Sequence, residues 1–269
     1  MSDTCREPVN EVAFADRPQL FGGEKALIVM ILLPLAAIGL QVALGLHGAA
    51  NSLYKLCFLI PPIIYCRMHG IRVVRDILKP RNWRRSLWLA AGLGLAAIAI
   101  FWSAYALFSD RLLDKVMIRE SIGRQFIVNS RTVLFVAPFT IFLNSLLEEF
   151  FYRGFAFGLL VRHKRCLGYA LPAAVFTTQH VLFFWHWLAW IPFCLATVGL
   201  LVLALVLEWL YERADSIVAP WAVHICGDVA MMGIAVTLFL IPRSTLPADG
   251  VETEPLVSSS ASIAACSTN

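Results

Sequence analysis

Apolar runs of about 20 residues, the length that crosses a hydrocarbon core as a helix, recur along the chain with short charged segments between them. They place spans at residues 26–46, 53–66, 86–108, 132–161, 167–186, 192–210 and 217–241. The expected fold is all-α, a polytopic membrane helical bundle of about seven transmembrane helices, with six to eight as the range. The run at 53–66 is the least regular, with Lys55 near one end and Pro61 and Pro62 inside it. Lysine snorkels to the interface, and membrane helices tolerate proline. The run at 132–161 is long for one crossing, which implies tilt. Residues 110–131 are amphipathic and read as an external loop or a surface helix. Ile71, Val74, Ile77 and Leu78 space an interfacial helix within a basic loop.

Composition and charge narrow this further. Of 269 residues, 59% are hydrophobic and 15% charged, against about 25% charged in soluble domains, which excludes an ordinary soluble domain. The formal net charge of +4 follows from topology. Arg67, Arg72, Arg75, Lys79, Arg81, Arg84 and Arg85 crowd one loop, and Arg162, Lys164 and Arg165 a second. Cytosolic loops collect such residues, which puts both loops and the N-terminus in the cytosol. No soluble face is large enough for nucleic acid. Residues 1–24 read as a cytosolic N-terminal segment, 25–242 as an integral membrane domain, and 243–269 as a polar, disordered tail. The first apolar run begins only after Lys25, so it is expected to stay in the protein rather than be cleaved as a signal peptide. The seven cysteines lack metal-ligand spacing and read as small buried hydrophobes.

Ionisable residues inside the spans carry the candidate chemistry. The run at 132–161 holds Glu148, Glu149 and Arg153, the next run holds His180, and the last holds His224 and Asp228. Each such group costs about 2.5–3.5 kcal/mol or more at the centre of a span, so the set calls for a function. Glu149 and Arg153 are four apart and meet on one helix face, while Glu148 points roughly 100° away. Their depths agree. Glu148 lies about 21 Å from the second basic loop, and His180 and Asp228 each about 20 Å from the same side. If the three helices are neighbours, a carboxylate, two imidazoles and a second acid converge. Such a set can activate water and stabilise an oxyanion, giving peptide hydrolysis without a serine or cysteine nucleophile. It can equally relay protons or hold a cation in a transporter, or form a two-histidine, one-carboxylate metal site. The H-E-x-x-H spacing of zinc proteases is absent.

Glu148-Glu149-F-F-Y-Arg153, Phe176-T-T-Q-His180 and His224-I-C-G-Asp228 resemble, in order and character, the three motifs of the CAAX prenyl protease and bacteriocin-processing (CPBP, or Abi) family of glutamate-dependent intramembrane endopeptidases. The resemblance covers about residues 144–233. It implies that Glu148 is the general base, that His180 assists it, and that His224 with Asp228 binds the carbonyl oxygen or positions the water. Glu149 and Arg153 would form a structural pair that also helps position substrate. The final aspartate stands where eukaryotic members have asparagine, and an ionised Asp228 would repel an oxyanion. The resemblance requires no cofactor; zinc, where present, would fall to Glu148, His180 and His224. The implied partners are the lipid bilayer and a membrane peptide or protein substrate, and the setting a bacterial plasma membrane. A proton- or cation-coupled transporter and a non-proteolytic peptide-immunity protein are the alternatives.

Overall fold

The computed structural model describes residues 23–44, 48–72, 83–109, 113–126, 128–185 and 188–242. Residues 1–22, the tail at 243–269 and most of the expected interfacial helix, at 73–82, lie outside the described residues. Among the described residues, eight helices and one 3-10 segment follow in chain order. They are α1 (Gly23–Ala43), the 3-10 segment (Gly48–Phe58), α2 (Ile60–Met68), α3 (Trp83–Phe108), α4 (Lys115–Phe126), α5 (Val133–Leu160), α6 (Arg165–Phe184), α7 (Trp190–Ala214) and α8 (Val218–Leu240). Five of them, α3 from Ser86 onward and α5 to α8, are long and apolar enough to cross a membrane, and α1 has a shorter apolar stretch, Lys25–Gln41. In lipid every backbone N–H and C=O must be satisfied within the chain, and unbroken helices do that.

The run at 53–66 is not one helix. The 3-10 segment ends at Phe58 and α2 begins at Ile60. Pro61 and Pro62 fall in the first turn of α2, where an N–H needs no intrahelical partner. They therefore start a helix rather than interrupt one. At 1.5 Å per residue α2 reaches only about 14 Å, too short to cross by itself.

The helix α5 also departs from regular winding. Two stretches with i→i+5 bonding, Phe139–Asn144 and Phe150–Phe157, flank the α-helical turn Ser145–Glu149. The first begins directly after Pro138, whose missing N–H loosens the ladder. The second is buried on every side: all eight residues from Phe150 to Phe157 are enclosed. This half of α5 is the centre of the bundle, whereas its first half shows Phe135, Phe139, Phe142 and Leu143 outward. Phe58 packs on Phe151 and Tyr152 at centroid distances of 4.8 and 5.6 Å, which brings the 3-10 segment against α5. Tyr54 reaches Phe183 of α6 at 5.9 Å.

One buried and one half-buried hydrogen bond fix how α5 meets its neighbours. Tyr152 Oη donates to Gln179 Oε1 of α6. Trp221 Nε1 of α8 donates to Ser145 Oγ at 3.0 Å. On the far side, α3 lies along α8 so closely that a Cβ on Gly94 would stand 2.6 Å from Cys226 Sγ. The outer face of α3 shows Trp88, Leu95 and Ile100 outward, as lipid contact requires.

The turn between α5 and α6 is equally tight. A Cβ on Gly168 would lie 2.6 Å from Val161 Cα and 2.8 Å from its nitrogen, both backbone atoms that cannot rotate away. Gly168→Ala is therefore expected to destabilise the protein by about 1–3 kcal/mol, read as a lower unfolding temperature in detergent. An unchanged temperature would mean that the α5–α6 contact is slack.

Candidate catalytic site

Four helices and the 3-10 segment build one buried polar cluster. From α5 come Asn144, Glu148, Glu149 and Arg153, from α6 His180, and from α8 His224 and Asp228. Glu148, Glu149, Arg153, His224 and Asp228 are all buried. His180 is more open than these, with 22% of its side chain exposed, so the cluster is reached from its side.

Glu148 is held by one oxygen and free at the other. Its Oε1 accepts from Asn144 Nδ2 at 2.9 Å, one turn earlier on the same helix. Its Oε2 has no hydrogen-bond partner among the described residues. That oxygen faces His180 Nε2 at 3.6 Å and His224 Nε2 at 3.9 Å, both too long for direct hydrogen bonds.

The far sides of the two rings explain their orientation. His180 Nδ1 lies 2.8 Å from the Phe176 carbonyl, which can only accept, so Nδ1 carries the hydrogen. His224 Nδ1 lies 2.8 Å from Glu149 Oε1, which already accepts from Arg153 Nη1 at 3.0 Å. That nitrogen also donates. Both imidazoles thus turn their Nε2 toward Glu148 Oε2. Asp228 Oδ1 stands 3.8 Å from His224 Nε2, and its Oδ2 has no partner among the described residues.

Sequence spacing anticipates the Glu149–Arg153 pair, and the structure adds His224 to it. Glu149 therefore sets the angle of a ring that faces Glu148, a role the spacing alone does not give it. Phe176 is the common wedge. Its ring lies under the Arg153 guanidinium at 4.4 Å and against His180 and His224 at 4.2 and 5.9 Å.

Other members of the cluster had no role assigned from the sequence. Asn144 could have been found from its i, i+4 relation to Glu148. Lys55 reads in the sequence as a lysine snorkelling away. In the structure it turns inward on the 3-10 segment, within electrostatic range of Glu148 and Asp228. Glu208 of α7 is fully buried and lies within electrostatic range of Arg153 and Glu149. An ionisable group in an apolar run is the signal that should have found it.

Four acidic side chains, Glu148, Glu149, Glu208 and Asp228, thus gather around one fixed cation, Arg153, with Lys55 within electrostatic range. The cluster favours whatever supplies positive charge, a proton or a metal ion. Glu148, His180 and His224 each offer one ligand atom, all within 4.8 Å of one another. Two nitrogens and one carboxylate oxygen with a position left for water is a donor set that suits zinc. The unpartnered Glu148 Oε2 and the two converging Nε2 atoms fit such an ion.

Comparison with known proteins adds one match. Residues 130–230 match the family model of the Type II CAAX prenyl endopeptidases, Rce1-like. The matched stretch contains Glu148, Glu149, Arg153, His180, His224 and Asp228, and leaves out Lys55. No curated protein and no solved structure matches the chain.

Proposed function

We infer, for a chain that carries an Rce1-like CAAX endopeptidase domain over residues 130–230, that Glu148 activates the water with which this intramembrane protease cuts a membrane-associated peptide or protein. The observation that carries the reading is the division of labour at Glu148. One carboxylate oxygen is fixed by Asn144, and the other faces two imidazole nitrogens at distances that suit an intervening water.

A water between Glu148 Oε2 and the two Nε2 atoms gives its proton to Glu148 as its oxygen attacks the scissile carbonyl carbon. The carbonyl oxygen takes up the negative charge. Asp228 serves that oxyanion as a protonated acid, since an ionised carboxylate would repel it. Glu148 then passes its proton to the departing amine, which balances the hydrolysis. His180 steadies the water from the open side. His224, held by Glu149, steadies it from within.

Glu148, His180 and His224 would hold zinc if the protein takes it up, and zinc would supply Lewis acidity and a more acidic water. The roles given to the side chains do not require it. Cleavage is expected to persist after exhaustive chelation, with metal content followed by elemental analysis. Activity that disappears on chelation and returns with zinc would transfer water activation to the metal.

The substrate is proposed to reach the site from the membrane, past His180. Both basic loops and the N-terminus lie in the cytosol of a bacterial plasma membrane, in agreement with the positive-inside rule. The 3-10 segment and α2 together would serve as the remaining pass of a seven-span chain.

A further inference from the structure

Glu208 is a buried carboxylate that the reaction does not use. It sits in an apolar helix, and neither oxygen has a hydrogen-bond partner among the described residues. A charge-bearing group in such a place needs a partner nearby.

The register of α7 against α5 supplies one. Phe157 and Tyr211 meet at a centroid distance of 5.8 Å, and a Cβ on Gly158 would come within 2.8 Å of Tyr211 Oη. The two helices end on the same side, where Arg165 and Tyr169 at the start of α6 both reach Glu212 at 2.9 and 2.6 Å. One turn back from Phe157 is Arg153, and one turn back from Tyr211 is Glu208.

Arg153 Nε and Nη2 and Glu149 Oε2 are also buried without hydrogen-bond partners among the described residues. Glu208 feels Arg153 and Glu149 electrostatically, yet it makes no direct ion pair with Arg153. Five polar atoms of three residues within electrostatic range of one another are therefore left without hydrogen-bond partners among the described residues. Buried polar groups are satisfied in native proteins, and an enclosed water makes about three hydrogen bonds.

We propose that Glu208 is a positioning residue which, through bridging water, holds the edge of the Arg153 guanidinium that Glu149 leaves free, and so keeps Glu149 on His224. Arg153 is then gripped on two edges. A guanidinium held on one edge alone can swing and carry Glu149 with it, which releases the Nδ1 side of His224. The proposal rests on the reading of His224 as part of the reacting site, but its test does not depend on cleavage.

The probe is the His224 Nδ1 proton, a low-field resonance in spectra of 15N-histidine-labelled protein in detergent, assigned with His224→Gln. Glu208→Ala is expected to broaden it or move it upfield. In parallel kcat should fall on the order of tenfold or more, with KM unchanged, for any membrane peptide that the wild type cuts. Glu208→Gln still binds water and is expected to restore the resonance and recover most of the rate. An unmoved resonance in Glu208→Ala, or a Glu208→Gln protein as damaged as Glu208→Ala, overturns the proposal. If Glu208→Ala does not accumulate, Glu208→Gln decides. Accumulation with the wild-type resonance supports the water bridge, and failure to accumulate overturns it by showing that a fixed charge is required. Wild-type protein that cuts nothing counts against the protease reading, while the resonance still judges Glu208.

Discussion

Glu148→Gln is expected to lose about 10²–10⁴-fold in kcat/KM, the range a general base contributes, while the protein still inserts and extracts like wild type. The amide keeps the shape of the carboxylate. Its oxygen can accept from Asn144 as Oε1 does now. Its NH2 would point at the two imidazole Nε2 atoms in place of the carboxylate oxygen that faces them now. Removing one negative charge also relieves a site in which four acidic side chains gather around Arg153. Thermal unfolding in detergent should therefore occur at the wild-type temperature or above it. Cleavage at the wild-type rate by this variant would remove Glu148 from the chemistry.

Arg153→Ala and Glu149→Gln should act in the opposite sense, on folding first. Arg153 is fully buried, and it donates directly to Glu149 Oε1 at 3.0 Å. Removing one partner of a buried pair leaves the other charge uncompensated, at a cost of about 3–5 kcal/mol. That is a large part of the 5–15 kcal/mol typical of a whole domain. Arg153→Ala additionally empties the space over the Phe176 ring, which supports both histidines. Glu149→Gln keeps an acceptor but weakens its hold on Arg153 and His224 together. The measurements are extraction yield and unfolding temperature for both variants. Normal yield with activity lost would move the pair from support into the reaction.

Much of this site is visible in the residues before any coordinates. Spacing of four places Glu149 on Arg153, because a helix puts such positions one above the other. Counting from the basic turn puts Glu148, His180 and Asp228 at matched depth, since a membrane helix advances by a fixed rise. The rest depends on how helices rotate against each other, which spacing within one helix does not encode. The bond from His224 to Glu149 is of this kind, set by Trp221 locking α8 onto Ser145. So is the inward turn of Lys55, which follows from Phe58 wedging the 3-10 segment against Phe151. The wide turns of α5 are hidden for another reason. The second of them coincides with complete enclosure of Phe150–Phe157, and an apolar run reads the same whether it faces lipid or protein. Glu208 is concealed because it lies one turn below Glu212 near a helix end and passes for part of a solvated rim.

The most direct test of a hydrolytic site centred on Glu148 is mass spectrometry of membrane peptides incubated with the purified protein in detergent, without any ion gradient. The wild type should yield two fragments whose summed mass exceeds that of the peptide by one water, and Glu148→Gln should leave the peptide intact. An uncut peptide with the wild type, alongside gradient-driven uptake of protons or cations in sealed vesicles, would contradict the protease reading and make the buried cluster a transport site.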